Sequence, residues 1–254
     1  MSTPVIVLVG LEVVLMIAVP ALMVYWLGRR WTLPWRLALA GGVTFVGSQV
    51  LHLPANSVLG MTLNMSSQPL PVQAIVLGLS AGIFEEVARY VVYRFWQKDA
   101  RSWEEAVYFG LGHGGMESAL TGLLVALTLV NMVVIAQAPD PTALGLPEGA
   151  LEQITDFWAM PLYMPLLAVA ERLMALVLHV ALSTVVALCF TRQRIWPLLV
   201  AILWHAAVDS LAVYAGQTWG PAVVEGVLAL LTLPNVGLIV LMRRALGRRS
   251  VVPA

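Results

Sequence analysis

The sequence predicts an all-α protein, a polytopic bundle of about seven transmembrane helices that forms a single integral membrane domain over 1–254. Of the 254 residues, 60% are hydrophobic and 11% are charged. The mean hydropathy is +0.87, which excludes a soluble globular domain. The apolar residues form separate stretches of at least about 17 residues, close to the roughly 20 that a helix needs to cross the hydrocarbon. Lysines and arginines cluster in alternate connections between these stretches.

The apolar stretches give the expected positions of the spans. They lie at about 4–27, 37–53, 71–93, 106–137, 158–190, 196–214 and 221–242. The fourth and fifth are longer than a bilayer requires. We therefore expect each to be tilted, to extend beyond the bilayer, or to be kinked, the fourth near its glycines at 112–115 and the fifth near its prolines at 161 and 165. The segment 138–157, which contains several prolines and glycines, is expected to be an irregular connector, with a cover over an outer opening as the alternative.

The basic residues predict how the chain is oriented. The connections after the first, third, fifth and seventh spans contain every lysine and arginine except Arg89 and Arg172. The connections 54–70, 138–157 and 215–220 contain none. Because positive charge is retained on the cytoplasmic side, we expect the N-terminus outside and the C-terminus inside. The protein is thus expected to be a multi-pass protein of a cell membrane, most simply the bacterial cytoplasmic membrane.

Charge balance and cysteine content exclude further classes. The formal net charge is zero, so the chain has no basic face to neutralise phosphates, and no nucleic-acid partner is expected. The single cysteine, Cys189, lies in an apolar run. The sequence therefore predicts neither a disulfide framework nor a cysteine-based zinc motif.

Ionisable and polar residues interrupt the third to sixth spans, at about 71–214, and mark the expected catalytic core. A charge near the bilayer centre costs about 3 kcal/mol even on lenient scales, so such residues are functional candidates by default. The third span contains Glu85, Glu86 and Arg89; the fourth, His113 and Glu117; the fifth, Glu171, Arg172, His179 and Ser183; the sixth, His205 and Asp209.

Depth and spacing predict that these side chains meet. Counted from the nearest cytoplasmic charges, the glutamate pair and the histidines lie roughly 12 to 20 Å below the surface. The pairs spaced i,i+4, which share one helix face, are Glu85 with Arg89, His113 with Glu117, His179 with Ser183, and His205 with Asp209. Glu171 and Arg172 lie about two turns farther out, where they would form an ion pair or contact substrate. The pattern predicts one hydrated pocket between helices.

The residue types in this pocket suit a hydrolase that activates water to attack an amide. One member of a buried carboxylate pair can act as a base while the other shares a proton or pairs with Arg89. One histidine can polarise the same water, and another can stabilise an oxyanion. The sequence contains no GxSxG elbow, HExxH motif or reactive-cysteine context, which argues against the commonest serine, zincin and thiol mechanisms.

Three motifs resemble those of the CAAX-protease and bacteriocin-processing superfamily of glutamic intramembrane proteases. They are Glu85-Glu86 with Arg89, Phe109 to His113, and His205 to Asp209. More narrowly, Phe84 to Tyr90, Gly112 to Ser118, and Glu171-Arg172 followed by His179 are similar to the YhfC-type branch of bacterial intramembrane peptidases. The resemblance implies an intramembrane endopeptidase that acts on a membrane-associated or lipid-anchored peptide or protein. Substrate is expected to enter from the cytoplasmic side or laterally between helices.

The resemblance also implies roles for residues. Glu85 would be the base, His113 its partner, His205 the oxyanion donor and Asp209 its orienting group. Here the arginine follows the second glutamate by three residues instead of four, which leaves open whether Glu85 or Glu86 is the base. Asparagine is usual where this chain has Asp209.

Other functions stay open on sequence grounds. The preferred mechanism needs no metal, but a zinc protease is the alternative, because zinc catalysis needs three protein ligands plus water. The candidate zinc ligands are His113, Glu117, His179, His205 and Asp209. A proton-coupled transporter would also place ionisable residues on facing helices. A haem protein with two of these histidines as axial ligands is a further class.

Overall fold

The computed structural model describes residues 1–139, 144–147 and 149–247, and within them it shows helices and no strands. The helices are α1 (Thr3–Trp31), α2 (Trp35–Thr62), α3 (Leu70–Phe95), α4 (Trp103–Ala136), α5 (Ala150–Ala159), α6 (Met164–Thr191), α7 (Trp196–Thr218) and α8 (Pro221–Leu246). Of the α-helices in the described residues, all but α5 are long and apolar enough to cross a membrane. The predicted all-α, multi-pass architecture is confirmed. The orientation across the membrane stays a prediction, and its basic residues Arg248 and Arg249 lie outside the described residues.

The predicted bounds of two spans differ from those of the structure. The second does not end at 53 but continues through Pro54 to Thr62. Proline is tolerated inside membrane helices because neighbouring groups satisfy the freed carbonyl. The fifth was predicted from 158, but α6 begins at Met164, after the separate helix α5. The connector 138–157 is therefore partly helical, contrary to prediction, while its residues 140–143 and 148 lie outside the described part of the chain.

The fourth span is one continuous helix of 34 residues that passes through the glycines at 112–115 without interruption. Its start is fixed by a capping box. The Ser102 hydroxyl accepts a hydrogen bond from the Glu105 amide at 3.3 Å, and the Glu105 carboxylate accepts one from the Ser102 amide at 3.0 Å. At about 1.5 Å per residue this helix is roughly 50 Å long, so it tilts or extends beyond the hydrocarbon.

Helix α6 lies at the centre of the bundle and packs against α1, α3, α4, α7 and α8. Its segment 178–189 is buried throughout, as expected for a helix enclosed by others. Around it, α2 packs on α4 and α3 on α7.

Glycines allow these helices to approach closely. A Cβ atom at Gly112 of α4 would overlap the backbone of Ala38 of α2, and one at Gly82 of α3 would lie 2.6 Å from the carbonyl oxygen of Ile202 of α7. Backbone contacts of this kind are typical of membrane helix pairs. They bring the polar faces of the helices within side-chain reach.

Candidate active site

The predicted ionisable residues of α3, α4, α6 and α7 meet in one buried centre. Glu86, Arg89 and His113 are fully buried, and Glu85, His179 and His205 are at most 6% exposed. None of them faces lipid. The sequence-based expectation that separate helices supply a single cluster agrees with this placement, whereas the chemical role of each residue stays a prediction.

Glu85 lies between histidines of two other helices. Its Oε2 atom is 3.1 Å from Nε2 of His113 on α4 and 3.9 Å from Nδ1 of His179 on α6. Its Oε1 atom accepts a hydrogen bond of 3.0 Å from Nε2 of Gln49 on α2. Oε2 is therefore the oxygen that faces the imidazoles.

Glu86 is the carboxylate that neutralises the buried arginine. Both of its oxygens contact Nη1 of Arg89. Its Oε1 atom also accepts a hydrogen bond of 2.8 Å from Nδ1 of His205. Arg89 reaches further with Nη2, which lies 3.3 Å from Nδ1 of His179. The i,i+4 spacing grouped Arg89 with Glu85, but the arginine pairs with Glu86, and no lysine or arginine among the described residues forms an ion pair with Glu85.

A second tier of charged groups lies farther along the same helices, toward the ends predicted to be outside. Oε2 of Glu117 is 2.5 Å from Nε2 of His179, and Oε1 of Glu117 accepts a hydrogen bond of 2.8 Å from Nη1 of Arg172. Arg172 also contacts Glu171. On α7, Oδ2 of Asp209 is 3.4 Å from Nε2 of His205. Each carboxylate of this tier lies beside a histidine or Arg172.

Exposure within the centre rises toward this second tier. The side chains of Glu117, Asp209 and Glu171 are 21%, 35% and 38% exposed, whereas the histidines below them are buried. Glu171, Arg172 and Asp209 border a small, partly open cavity of about 60 Å³ between α6, α7 and α8. The centre therefore communicates with its surroundings on this side.

The opposite side of the centre, toward the predicted cytoplasm, is closed by apolar side chains. Tyr93, Phe109, Leu182, Val186 and Ala201 are fully buried there, and the rings of Tyr93 and Phe109 lie 4.7 Å apart. The expectation of substrate entry from the cytoplasmic side disagrees with this layer. The other predicted route, laterally between helices, stays a prediction.

One group of side chains has the composition of a zinc site. Ligand atoms of Glu85, His179 and His205 all lie within 4.8 Å of one another. Two imidazoles and a carboxylate are a common ligand set of catalytic zinc. Around a tetrahedral ion the ligand atoms would be about 3.3 Å apart. Binding would therefore require the distances between these ligand atoms to shorten by up to roughly 1.5 Å. The candidates His113, Glu117 and Asp209 surround this group.

The surrounding carboxylates support the fit. Glu86 holds Nδ1 of His205, and Glu117 lies against Nε2 of His179. Carboxylates that orient histidine ligands in this way are the usual outer partners of protein metal sites. The residues present therefore fit a divalent metal. The positive charge closest to this group is that of Arg89, which would repel the ion.

Two outcomes were not foreseen from the sequence. The hydroxyl of Ser183 is buried and has no hydrogen-bond partner among the described residues, so it does not join His179 as its spacing suggested. Conversely, Gln49, His52 and Asn56 of α2 extend the polar cluster. Their i, i+3, i+7 spacing within an apolar span is a polar stripe that could have identified them.

Comparisons with known proteins agree with this picture. A family model described as "YhfC intramembrane metalloprotease" matches residues 15–228. The chain is also 30% identical over 239 residues to a protein of Bacillus subtilis (strain 168) described as "Uncharacterized membrane protein YhfC", a similarity that covers 89% of this chain and 91% of that protein. No solved structure matches the chain.

Proposed function

This chain belongs to the YhfC family, and from that premise we propose that it is an intramembrane protease that hydrolyses peptide bonds of membrane-associated or lipid-anchored polypeptides. The observation that carries the proposal is the position of Glu85. It is a buried carboxylate that no lysine or arginine in the described part of the chain pairs with, and its Oε2 atom faces His113 and His179. A base so placed can take a proton from water, and the imidazoles can hold or receive it.

The proposed roles separate the two glutamates. Glu85 acts on the water, either directly as the base or as a ligand of a metal. Glu86, which is paired with Arg89, holds His205 at Nδ1 and directs the other ring nitrogen toward the reacting carbonyl. Where no metal takes part, Nε2 of His205 then stabilises the oxyanion. Under a metal-dependent route this nitrogen would instead hold the ion, and the ion would polarise the substrate carbonyl. Asp209 lies close enough to His205 to assist its orientation.

Between the two ways of activating water, we favour the metal-dependent one. The sequence alone favoured a metal-free mechanism, but Glu85, His179 and His205 supply a zinc-like ligand set, and the matching family is described as metalloproteases. Zinc in such a site lowers the pKa of its bound water to about 7 and polarises the substrate carbonyl. Glu85, His179 and His205 would hold the ion, and Glu86 and Glu117 would orient the two histidines. The apolar layer on the closed side would exclude bulk water.

The proposed substrate route is the gap between α6, α7 and α8. Apolar residues such as Leu178, Val208 and Leu228 line its cavity together with Asp209 and Arg172. The cavity of about 60 Å³ is too small for a peptide, so the proposed route requires α6, α7 and α8 to separate, after which apolar side chains of the substrate could lie against the cavity wall while its backbone reaches the polar groups. The closed apolar layer beyond the histidines would stop the peptide at the depth of Glu85.

The test is cleavage of a membrane-anchored peptide by the purified protein in proteoliposomes. We expect cleavage by the wild type and by Lys98→Gln, a control at an exposed position between α3 and α4. Glu85→Gln and His113→Ala should each lower the rate by at least about 10²-fold, the usual contribution of a general base. A chelator should abolish cleavage and added Zn²⁺ should restore it.

Two results would count against the proposal. Proton-coupled solute flux by the same proteoliposomes, with no peptide cleaved, would establish the transporter class instead. Full activity in the presence of a chelator, in protein shown to be free of metal, would refute the metal-dependent route and return the water-activating role to Glu85 alone.

A further inference from the structure

A chain of hydrogen bonds connects the outer part of the α2–α3 interface to Glu85. The Ser80 hydroxyl donates to Oδ1 of Asn56 at 2.6 Å, and Nδ2 of Asn56 lies 2.9 Å from Nε2 of His52. Nδ1 of His52 is 3.1 Å from Oε1 of Gln49, whose Nε2 donates to Oε1 of Glu85 at 3.0 Å. The α2 members of this chain occur at i, i+3 and i+7 and so share one helix face.

A single assignment of protons satisfies every link in this chain. With the proton on Nδ1, His52 donates to Gln49 and accepts from Asn56. Each donor then points toward the next acceptor, from Ser80 through to the carboxylate of Glu85. The last acceptor is Oε1 of Glu85, and a carboxylate oxygen without a proton can only accept. This arrangement therefore requires that Oε1 bears no proton.

The surroundings of the chain restrict its geometry. His52 is 8% exposed and Ser80 is 5% exposed, and the imidazole of His52 stacks on Phe84 with ring centroids 5.6 Å apart. Phe84 directly precedes Glu85 on α3. A polar group in this apolar interface is costly unless it is hydrogen-bonded, which favours keeping the whole chain in one arrangement.

From this geometry we infer that Gln49, His52 and Asn56 are positioning residues that fix the Glu85 carboxylate, so that Oε1 is occupied and Oε2 alone is presented to the histidine side of the centre. The inference rests on the proposed function and adds to it that polar residues of α2 control how Glu85 engages water or a metal. Under the metal-dependent route, Glu85 is then a ligand through one oxygen.

The rival explanation is that these polar residues only hold α2 against α3. Hydrogen bonds between membrane helices contribute to stability wherever they occur, so a loss of stability alone does not separate the two explanations. The affinity for Zn²⁺ and the turnover number distinguish the two explanations. A bond that only joins helices leaves both unchanged, whereas removing an outer partner of a metal ligand typically lowers affinity or activity by about 10- to 100-fold.

The experiment compares Gln49→Leu and His52→Phe with Trp103→Phe. Leucine removes the donor to Glu85, and phenylalanine keeps a ring against Phe84 while removing both hydrogen bonds of His52. The control removes a different bond between helices, the 2.8 Å one from Nε1 of Trp103 to the carbonyl of Ile239, near the cytoplasmic end. For each protein we would measure the dissociation constant for Zn²⁺ by competition with a chelating dye, the kcat on the reporter peptide, and the Tm.

We expect Gln49→Leu to weaken Zn²⁺ binding and lower kcat by about 10- to 100-fold, with a smaller change in the same direction for His52→Phe. All variants, the control included, should lose a few degrees in Tm, and the control should keep wild-type binding and kcat. If the wild type cleaves without zinc, kcat alone decides the comparison.

The possible failures are distinguishable. A wild type that neither cleaves the peptide nor binds Zn²⁺ would refute the proposed function, and the inference with it. A wild type that does either, together with a Gln49→Leu variant that matches the control in Zn²⁺ affinity and kcat, would refute the positioning role while leaving the proposed function standing.

Discussion

Neutralising Glu86 should destabilise the protein far more than neutralising Glu85. Glu86 and Arg89 are both fully buried, and Glu86 is the only carboxylate that hydrogen-bonds Arg89 among the described residues. The substitution Glu86→Gln leaves a guanidinium in the interior without a counter-charge. Breaking a buried pair in this way costs about 3–5 kcal/mol.

The magnitude can be expressed as a shift in Tm. For a chain of this size about 1 kcal/mol corresponds to roughly 2–4 °C, so Glu86→Gln should lower Tm by about 6–20 °C. Glu85 is hydrogen-bonded to Gln49 and to His113, and no arginine among the described residues pairs with it. Its replacement by glutamine should cost on the order of 1 kcal/mol, or a few degrees, while abolishing cleavage.

The assay is thermal unfolding in detergent, followed by circular dichroism, on the two single variants and on the double variant Glu86→Gln/Arg89→Met. Removing both charges should restore part of the lost stability, because no unpaired ion then remains in the interior. A Glu86→Gln protein as stable as the wild type would refute this reasoning. A double variant less stable than the single one would refute it equally.

Further predictions concern packing and the second tier of charges. Gly112→Ala should lower stability by about 1–3 kcal/mol, because its Cβ would overlap the backbone of Ala38, whereas Gly47→Ala, whose Cβ would have no neighbour within 4 Å, should be neutral or stabilising. Unfolding of both variants in the same detergent checks this, and equal stabilities would contradict the proposed close contact. Arg172→Gln should lower kcat by about 10-fold with little change in Tm, because Glu117 loses its 2.8 Å donor at a partly exposed position. An unchanged kcat would show that Arg172 has no part in orienting the centre.

The helix count and fold class follow from the sequence because hydropathy and charge placement are averaged over about 20 residues at a time. Helix ends are decided by single residues and escape that averaging. The second span was predicted to end at 53, yet the helix continues through Pro54 to Thr62. The short helix Ala150–Ala159 was missed because it lies in a segment with prolines and glycines and was too polar to count as a span.

The centre was predictable to the level of helix faces. Spacings of three and four residues both place side chains on one face, so the pattern indicated that α3 presents Glu85, Glu86 and Arg89 together. It did not indicate which of the two glutamates would form the ion pair with Arg89. That choice depends on His113 and His205, which approach from other helices and contact one glutamate each.

The contribution of α2 was missed for a different reason. Gln49 and Asn56 are uncharged, so they lower the hydropathy of the span only slightly and did not count among the ionisable candidates. His52 alone was a visible signal in the second span. Its importance becomes evident only from the distances that connect it to Gln49 and, through Gln49, to Glu85.

The central claim is that acidic and imidazole groups from separate membrane helices hydrolyse a peptide bond. The most direct measurement is mass spectrometry of products formed in H₂¹⁸O. Wild-type protein should yield a fragment with one ¹⁸O atom in its new carboxyl terminus, and Glu85→Gln protein of intact fold should yield none. Absence of the labelled fragment from wild-type reactions, or its equal formation by the Glu85→Gln variant, would contradict the account.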